Sequence, residues 1–403
     1  MKPKRLISLL VAVCMMITML PLSAVTAFAA DTSTVHEAND GEGIYRYAYK
    51  ENEDGETVTI TEFLGPVDPA NPGPYDIDIP EKLDGYTVTG LGEYSFSGTY
   101  SPDHQTNHNL ISFCNQIQSV TIPESVTSIG KSAFEHCSKL DSLTIKGVAT
   151  SIGAYAFASC TSLTSLSLVG SFQTIGDSAF VNCGMTSLTI DATITSIEKY
   201  AFSSRFLTSL SLTGNVQKIG DHAFDSCSSL NTVTFPKSPT SIGSYAFDSC
   251  TSLNSIEIPG TVTEIGDCAF YHCSGLTSVK IDEGVQSTGA DMFNDCGQLT
   301  TVTFPESLTT IADGSFASCS NLNHVKIPAR VTCIGDSAFS NCTSLSEITL
   351  QDGVKTIGAN AFFFLPSAHL DHSAGQCDRH WQGRFLVLLT TQVHHHPGKR
   401  NSH

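Results

Sequence analysis

Basic residues are scarce in this chain, which has 21 Lys and Arg against 39 Asp and Glu and a formal net charge of −18. The only basic cluster near the start is Lys2, Lys4 and Arg5, and without these three residues the charge would fall to about −21. Because such a surface repels phosphate backbones and anionic lipid, the composition argues against nucleic acid as a partner.

Long apolar runs are nearly absent as well, and only Leu6 to Leu20 stands out. This run follows the basic start and precedes Ala27-Phe28-Ala29, a small-x-small pattern typical of a secretory cleavage site. An N-terminal membrane anchor is the alternative, but the run is short for a bilayer span. We therefore expect removal of residues 1–29, no transmembrane span afterwards, and a secreted, extracellular or cell-surface location.

Motifs of enzyme active sites are also missing, since the sequence shows no Ser-His-Asp set, phosphate-binding loop or metal-binding motif. A β-helix polysaccharide-degrading enzyme would need two carboxylates that converge on one face. The recurring aspartates instead lie just before Ala-Phe or similar pairs, where capping of a short helix explains them: Asp177, Asp221, Asp267 and Asp336. We predict no enzymatic activity, no cofactor and no metal.

What the chain does contain is a tight internal repeat. A marker Phe returns in steps of 23 residues, with two steps of 22. The marker residues are Phe134, Phe157, Phe180, Phe202, Phe224, Phe247, Phe270, Phe293, Phe316, Phe339 and Phe362. Because a single unit of this length cannot bury its own apolar side, the period predicts a stack of coils.

Each unit has three parts, as the stretch Thr251–Cys273 illustrates. The alternating run Ile256–Ile258 predicts a strand with one buried face. A second, β-branched run ends in Ile265-Gly266, where we expect the glycine to adopt a backbone angle forbidden to other residues. Ala269-Phe270 then predicts a single helical turn, with Asp267 as its cap.

These units resemble the BspA-type leucine-rich repeat, whose pattern runs L-x-x-I-x-I-P-x-x-V-x-x-I-G-x-x-A-F-x-x-C, and the resemblance covers Asp76 to Phe362. It implies an α/β repeat solenoid, a right-handed leucine-rich-repeat superhelix that is β-rich with one short helical turn per coil of about 23 residues. It also implies an exported or surface-displayed protein, because characterised relatives mostly bind proteins or cells and many are adhesins.

The pattern divides the chain into five segments. We predict a signal peptide (1–29), a hairpin-like cap with a Pro-rich linker (30–75), a divergent first repeat with an insertion (76–116), a regular array (117–365) and an irregular His-rich tail (366–403). The cap rests on Tyr45–Tyr49 and Thr57–Thr61, two alternating runs around Asn52–Gly55. For the tail, an out-of-frame or truncated end is preferred to a metal-binding tract.

Nine cysteines follow a marker Phe by three residues: Cys137, Cys160, Cys183, Cys227, Cys250, Cys273, Cys296, Cys319 and Cys342. Only Arg205 interrupts this cysteine column. A metal or redox site would need converging ligands, and parallel Cβ atoms about 4.8 Å apart exceed the roughly 3.8 Å preferred in a disulfide. We therefore interpret the cysteines as small buried hydrophobes with a weak donor for turn carbonyls, with disulfides as the alternative.

The exposed positions of the first strands are mostly Ser and Thr, with charge confined to the C-terminal half. A ligand face there would have six distinctive residues: Ser255, Glu257, Lys280, His324, Lys326 and Glu347. The ordinary alternative is that Ser and Thr simply suit exposed strands. The expected function is recognition or adhesion, with protein or cell-surface ligands as partners. The alternatives are a structural spacer whose activity lies in lost C-terminal modules and a β-helix polysaccharide-degrading enzyme.

Overall fold

The computed structural model describes residues 34–97, 113–146, 148–235, 239–351, 353–365 and 369–372. The predicted signal peptide, most of the insertion and most of the tail lie outside these residues. The chain forms a β-solenoid of about ten turns with almost no helix. No helix in the described part is long and apolar enough to cross a membrane.

Twenty-six strands make up the described architecture. They are β1 (His36–Asn39), β2 (Tyr45–Glu51), β3 (Thr57–Pro66), β4 (Tyr75–Asp78), β5 (Lys82–Leu83), β6 (Tyr86–Leu91), β7 (Ile117–Ile122), β8 (Ser128–Ile129), β9 (Ser142–Ile145), β10 (Val148–Ile152), β11 (Ser165–Ile175), β12 (Ser187–Ile197), β13 (Ser209–Leu212), β14 (Val216–Ile219), β15 (Thr232–Thr234), β16 (Ser241–Ile242), β17 (Ser255–Ile258), β18 (Glu264–Ile265), β19 (Ser278–Ile281), β20 (Thr301–Thr303), β21 (Thr310–Ile311), β22 (His324–Lys326), β23 (Cys333–Ile334), β24 (Glu347–Leu350), β25 (Thr356–Ile357) and β26 (His369–His372).

Most coils of the regular array contribute a first strand and a second strand, the second often of only two residues, and equivalent strands of successive coils pair in parallel. The first strands form the rows β4-β7-β9, β13-β15, β17-β19-β20 and β22-β24-β26, while β21-β23-β25 is a row of second strands. In β11 and β12 the first and second strands of the coil form one continuous strand. These two strands therefore join first strands and second strands of neighbouring coils into one 14-stranded sheet.

The N-terminal hairpin joins this stack. Strands β2 and β3 pair antiparallel, and β3 pairs in parallel with β6 of the first coil. Phe63 on β3 stacks on Phe96 with ring centroids 5.4 Å apart, so the hairpin places an aromatic ring at the end of the column of marker rings. Strand β1 pairs antiparallel with β2 as a further strand of this hairpin. The boundaries of the five predicted segments stay predictions.

The core is a column of stacked Phe rings. From Phe96 to Phe362 successive centroids are 4.6–5.6 Å apart, and the marker residues that the structure describes are buried. Offset or parallel stacking at this spacing contributes about 0.5–1.5 kcal/mol per pair beyond area burial. The periodicity of the marker Phe therefore translates directly into the stacking of coils.

The predicted helical turn is wrong, and with it the α/β class. Around Ala269-Phe270, both Cys268 and His272 have left-handed φ angles, of 57° and 56°. The N–H groups of Cys268 and Phe270 donate to carbonyls of the next coil at 2.7 and 2.9 Å rather than back along their own chain. Because left-handed residues interrupt a right-handed helix, the segment forms hydrogen-bonded turns. The right-handed sense of the superhelix stays a prediction.

The reason for the Ile-Gly glycines also differs from the one predicted. Gly153 and Gly266 do not adopt left-handed angles. A Cβ at Gly266 would lie 2.3 Å from the backbone N of Ser244, and one at Gly153 would lie 2.7 Å from the carbonyl C of Gly130. Glycine is required because the backbones of successive coils approach too closely for a side chain.

Candidate ligand-binding face

The first-strand face presents its side chains in a regular grid. Along β12, Ser187 and Thr189 are exposed while Leu188 and Ile190 are buried, as expected for a strand with one buried face. Parallel pairing sets each exposed residue beside its equivalent, such as Ser187 beside Ser209 in β13. The result is a flat surface of hydroxyl groups, with rows about 4.8 Å apart.

All six residues predicted for a ligand face are exposed on this surface. Ser255 and Glu257 lie on β17, Lys280 on β19, His324 and Lys326 on β22, and Glu347 on β24. The structure divides them into two clusters rather than one patch, because β20, with Thr301 and Thr303 exposed, lies between β19 and β22.

The first cluster centres on Lys280, which pairs with two carboxylates. Its Nζ donates to Oε1 of Glu257 on the neighbouring strand and lies 2.9 Å from Oδ1 of Asp282. These hydrogen bonds, to Glu257 and then to Asp282, raise the pKa of Lys280. Asp282 was missed by the sequence interpretation, although it follows Lys280 by two residues and therefore continues the exposed alternation.

The second cluster pairs an imidazole with a carboxylate. Nδ1 of His324 lies 3.4 Å from Oε2 of Glu347 on the adjacent strand, and about half of each side chain is exposed. Lys326 lies in the next row, opposite Thr349. Since exposed ion pairs contribute only about 0–1 kcal/mol to stability, neither cluster is needed to hold the fold.

The repeat itself decides the family. The model of the "BspA type Leucine rich repeat region", with six copies, matches residues 77–172, 106–206, 195–323 and 240–369, which is well over half of the chain. This protein belongs to the BspA-type leucine-rich repeat family. No curated protein matches the chain.

Several solved leucine-rich repeat structures are similar to this BspA-type chain. A leucine-rich repeat protein from Bacteroides ovatus is 24% identical over 81% of this chain and 98% of its own, with a TM-score of 0.46. A leucine rich cell surface protein from Faecalibacterium prausnitzii is 23% identical over 91% and 100%, with a TM-score of 0.40. The pneumococcal vaccine antigen PcpA is 19% identical over 90% and 98%, with a TM-score of 0.49.

In this BspA-type array the cysteine column is an internal hydrogen-bonded ladder. The nine thiols are free and buried, and each Sγ donates to the carbonyl of a Phe in the stacked column, as Cys250 does to Phe224 at 3.5 Å. Burial raises the pKa of Cys160, Cys250 and Cys319 well above the ordinary value, so these thiols stay protonated. The interpretation of the column as buried hydrophobes with a donor is confirmed.

The gap in the column is filled differently from the prediction. Ser204, not Arg205, takes the position of the missing cysteine, because Leu207 donates to the Ser204 carbonyl as Leu140 does to that of Cys137. Ser204 is buried, and its Oγ donates to the Cys183 carbonyl at 2.8 Å. A hydroxyl therefore satisfies a carbonyl where the repeat is one residue shorter.

The recurring aspartates accept backbone hydrogen bonds, but not in the way predicted. Oδ1 of Asp221 accepts from Ser244 N at 2.9 Å, and Oδ1 of Asp336 accepts from Ala359 N at 2.6 Å. Each aspartate thus binds the following coil, since no helix exists in its own coil for it to cap. This structural role accounts for the acidic residues that an enzyme interpretation would otherwise have used.

Proposed function

We propose that this BspA-type protein is a secreted or cell-surface recognition or adhesion protein that binds host or microbial proteins through its first-strand face. The observation that carries the proposal is the continuous exposed face, in which parallel register aligns equivalent side chains across successive coils. A rigid scaffold of this kind presents a large surface without a cost of ordering on binding.

The two charged clusters support a ligand that engages the C-terminal half of the face. Ser and Thr occupy the outward alternating first-strand positions from β7 to β15, whereas Glu257, Lys280, His324 and Glu347 bring both signs of charge to the strands that follow. Because these ion pairs are exposed and weak, a partner can replace them with its own charges at little cost. Complementary charge of this kind contributes mainly specificity and association rate.

A structural spacer is the second candidate, since a stack of coils held by Phe rings and strand ladders also makes a stiff element. The ordered column of rings from Phe96 to Phe362 is the observation that favours it. In that case the recognition activity would belong to other modules, and the first-strand face would bind nothing.

Binding measurements on the mature chain distinguish the two. We would measure saturable binding to a panel of host extracellular-matrix proteins and to whole cells. The test variant combines Glu257→Ala, Lys280→Ala, His324→Ala and Glu347→Ala, and the control combines Lys218→Ala and Glu264→Ala, exposed on second strands. We expect the test variant to lose about tenfold or more in affinity and the control to lose none. Absence of saturable binding to every target would favour the spacer.

A further inference from the structure

The turn that leads into β13 has an unusual pair of exposed side chains. In each coil this turn lies between the position of the cysteine column and the buried residue ahead of the first strand, and from the coil of Phe134 to that of Phe339 the other coils have only small or polar residues there. Thr251 and Ser252 are an example, and both are exposed. In the coil of Phe202 the two positions are Arg205 and Phe206, which are also exposed, Phe206 to 43%.

The two side chains form a cation–π pair. The guanidinium carbon of Arg205 lies 4.9 Å from the ring centroid of Phe206. This contact holds the long side chain of Arg205 against the ring, and the planar guanidinium keeps its N–H donors available at its edges. Among the residues that the structure describes, no carboxylate forms an ion pair with Arg205. The pair therefore presents a cation without a counter-charge, beside an aromatic ring.

The coils on either side leave the pair accessible. The preceding coil has only Gly184 in this turn, and the following coil has Ser228 and Ser229. A Cβ at Gly184 would lie 2.2 Å from the carbonyl oxygen of Thr161, so that position cannot carry a side chain without a backbone shift. Large side chains are thus confined to one coil of this row, and a partner can reach the guanidinium and the ring together.

The pair does little for the stability of the stack. In other coils the first residue of this turn donates a hydrogen bond to the coil before it, as Thr251 does to the Ser228 carbonyl at 3.3 Å. Arg205 has no hydroxyl for this contact, and Phe206 leaves apolar surface in water. Arginine and aromatic residues are, by contrast, enriched among the residues that dominate binding energy in protein interfaces. The composition of the turn therefore favours contact with a partner.

We propose that Arg205 and Phe206 form an anchor for a protein partner that presents a carboxylate beside an apolar side chain. The carboxylate would accept two parallel N–H bonds from the guanidinium, and the apolar side chain would pack on the exposed part of the ring. Excluding water in this way strengthens an ion pair that is weak when exposed. An acidic polysaccharide also offers carboxylates, but a sugar ring would compete with Arg205 for the face of Phe206, so a protein is the better fit.

This anchor is separate from the surface used for the proposed function. Arg205 and Phe206 precede β13, in the half of the array whose first strands carry Ser and Thr, whereas the two charged clusters begin at β17. The inference does not depend on recognition through those clusters, because its test uses neither their residues nor their ligands.

Peptide binding to the mature chain, followed by saturation-transfer NMR, tests the anchor. The acidic probe is the acetylated and amidated tetrapeptide Glu-Phe-Glu-Leu, the neutral probe is Gln-Phe-Gln-Leu, and an oligoglucuronate represents acidic polysaccharides. We expect the acidic peptide to bind with a Kd of about 1 mM, as suits a single anchor point, and the neutral peptide to bind about fivefold more weakly or less. The oligoglucuronate should bind more weakly than the acidic peptide.

Variants locate the binding. Arg205→Ala and Phe206→Ala should each weaken the acidic peptide by about fivefold or more, and Arg205→Lys should keep only part of the affinity, because an ammonium lacks the planar fork. Lys139→Ala is the matched control, since Lys139 is exposed in the same turn of the Phe134 coil and its loss removes the same charge. Thermal denaturation midpoints equal to that of the parent show that the variants fold.

Four results would overturn the proposal. They are no detectable binding of the acidic peptide, equal affinity for the acidic and neutral peptides, equal affinity of the parent and the Arg205→Ala protein, and tighter binding of the oligoglucuronate than of the acidic peptide. The last result would assign the anchor to a polysaccharide instead.

Discussion

The Sγ of Cys273 donates a hydrogen bond to the carbonyl oxygen of Phe247 in the preceding coil, at 3.2 Å. Both residues are fully buried. This contact links the two most regular columns of the protein, since the marker Phe supplies the stacked ring and its carbonyl accepts the thiol of the next coil. The same relationship recurs along the array, from Cys137 with Phe96 to Cys342 with Phe316.

Replacing the thiol should therefore cost more than its small size suggests. We expect Cys273→Ala to lower the free energy of unfolding by about 1–3 kcal/mol, because it leaves a small cavity and removes a donor from a buried carbonyl. Urea denaturation measures the change. The exposed Ser255→Ala is the control and should stay within about 0.5 kcal/mol of the parent. An unchanged midpoint for Cys273→Ala would show that the thiol contributes nothing to stability.

The thiols of the cysteine column should react with alkylating reagents only after the protein unfolds. In the native, non-reduced protein we expect the nine thiols of the cysteine column to react slowly with an alkylating reagent, because they are buried. After denaturation without reductant, all nine should react. Mass spectrometry of alkylated peptides counts them, and a chain whose column stays largely unmodified after denaturation would indicate disulfides instead.

Stability should fall in alkaline solution. Burial raises the pKa of Cys114 from its ordinary value of 9.0 to about 12, and burial also raises the pKa values of Cys160 and Cys250 well above 9.0. The native state therefore retains protons that the unfolded state releases. The thiols' contribution to stability is fully present below pH 9 and is lost progressively as the pH rises from about 9 towards and through the native pKa values.

Urea midpoints measured from pH 8 to pH 11 test this dependence. Buried tyrosines such as Tyr47 also have a raised pKa and act in the same direction. The Cys114→Ala, Cys250→Ala double variant separates the two sources, because it should show a smaller alkaline loss than the parent. The same slope in both proteins would be evidence against the thiols as the cause.

Because the backbones of successive coils approach closely, replacing an Ile-Gly glycine should destabilise the fold. We expect Gly266→Ala to destabilise the fold by about 2–4 kcal/mol, because its methyl group would overlap the Ser244 backbone. Gly297→Ala is the matched control: it lies in the same array, has no left-handed φ, and its new Cβ would meet only Ser320 Oγ at 3.5 Å. Thermal denaturation should separate the two variants by several degrees. Equal effects would contradict the packing argument.

Much of this architecture could be predicted from residue spacing. The marker Phe and the alternation at Ile256–Ile258 predicted a stack with one buried strand face, and Phe247, Phe270 and Ile256 are indeed buried. These inferences succeeded because a strict period allows each unit only one way to bury its apolar side. The six predicted face residues are exposed for the same reason, although their role as a ligand site stays a prediction.

Other features depend on contacts between coils, and local patterns misassigned them. Asp267 before Ala269-Phe270 looks like a helix cap, but the N–H of Cys268 donates to the next coil and the helix does not form. The Ile-Gly pattern suggests an unusual φ angle at Gly266, but glycine is required there because the backbone of Ser244 in the preceding coil leaves no room for a side chain. Ser204, rather than Arg205, replaces a cysteine because the deletion shifts the turn by one residue.

By itself, then, the sequence determined the repeat, its period, its buried columns and its family, because these follow from residue type at fixed spacing. The tertiary structure decided which carbonyl each thiol and which N–H each aspartate meets, and how closely the backbones approach. It also decided that the charged face residues form two clusters. Those relationships join residues about one coil apart, and only the register of stacked coils defines them.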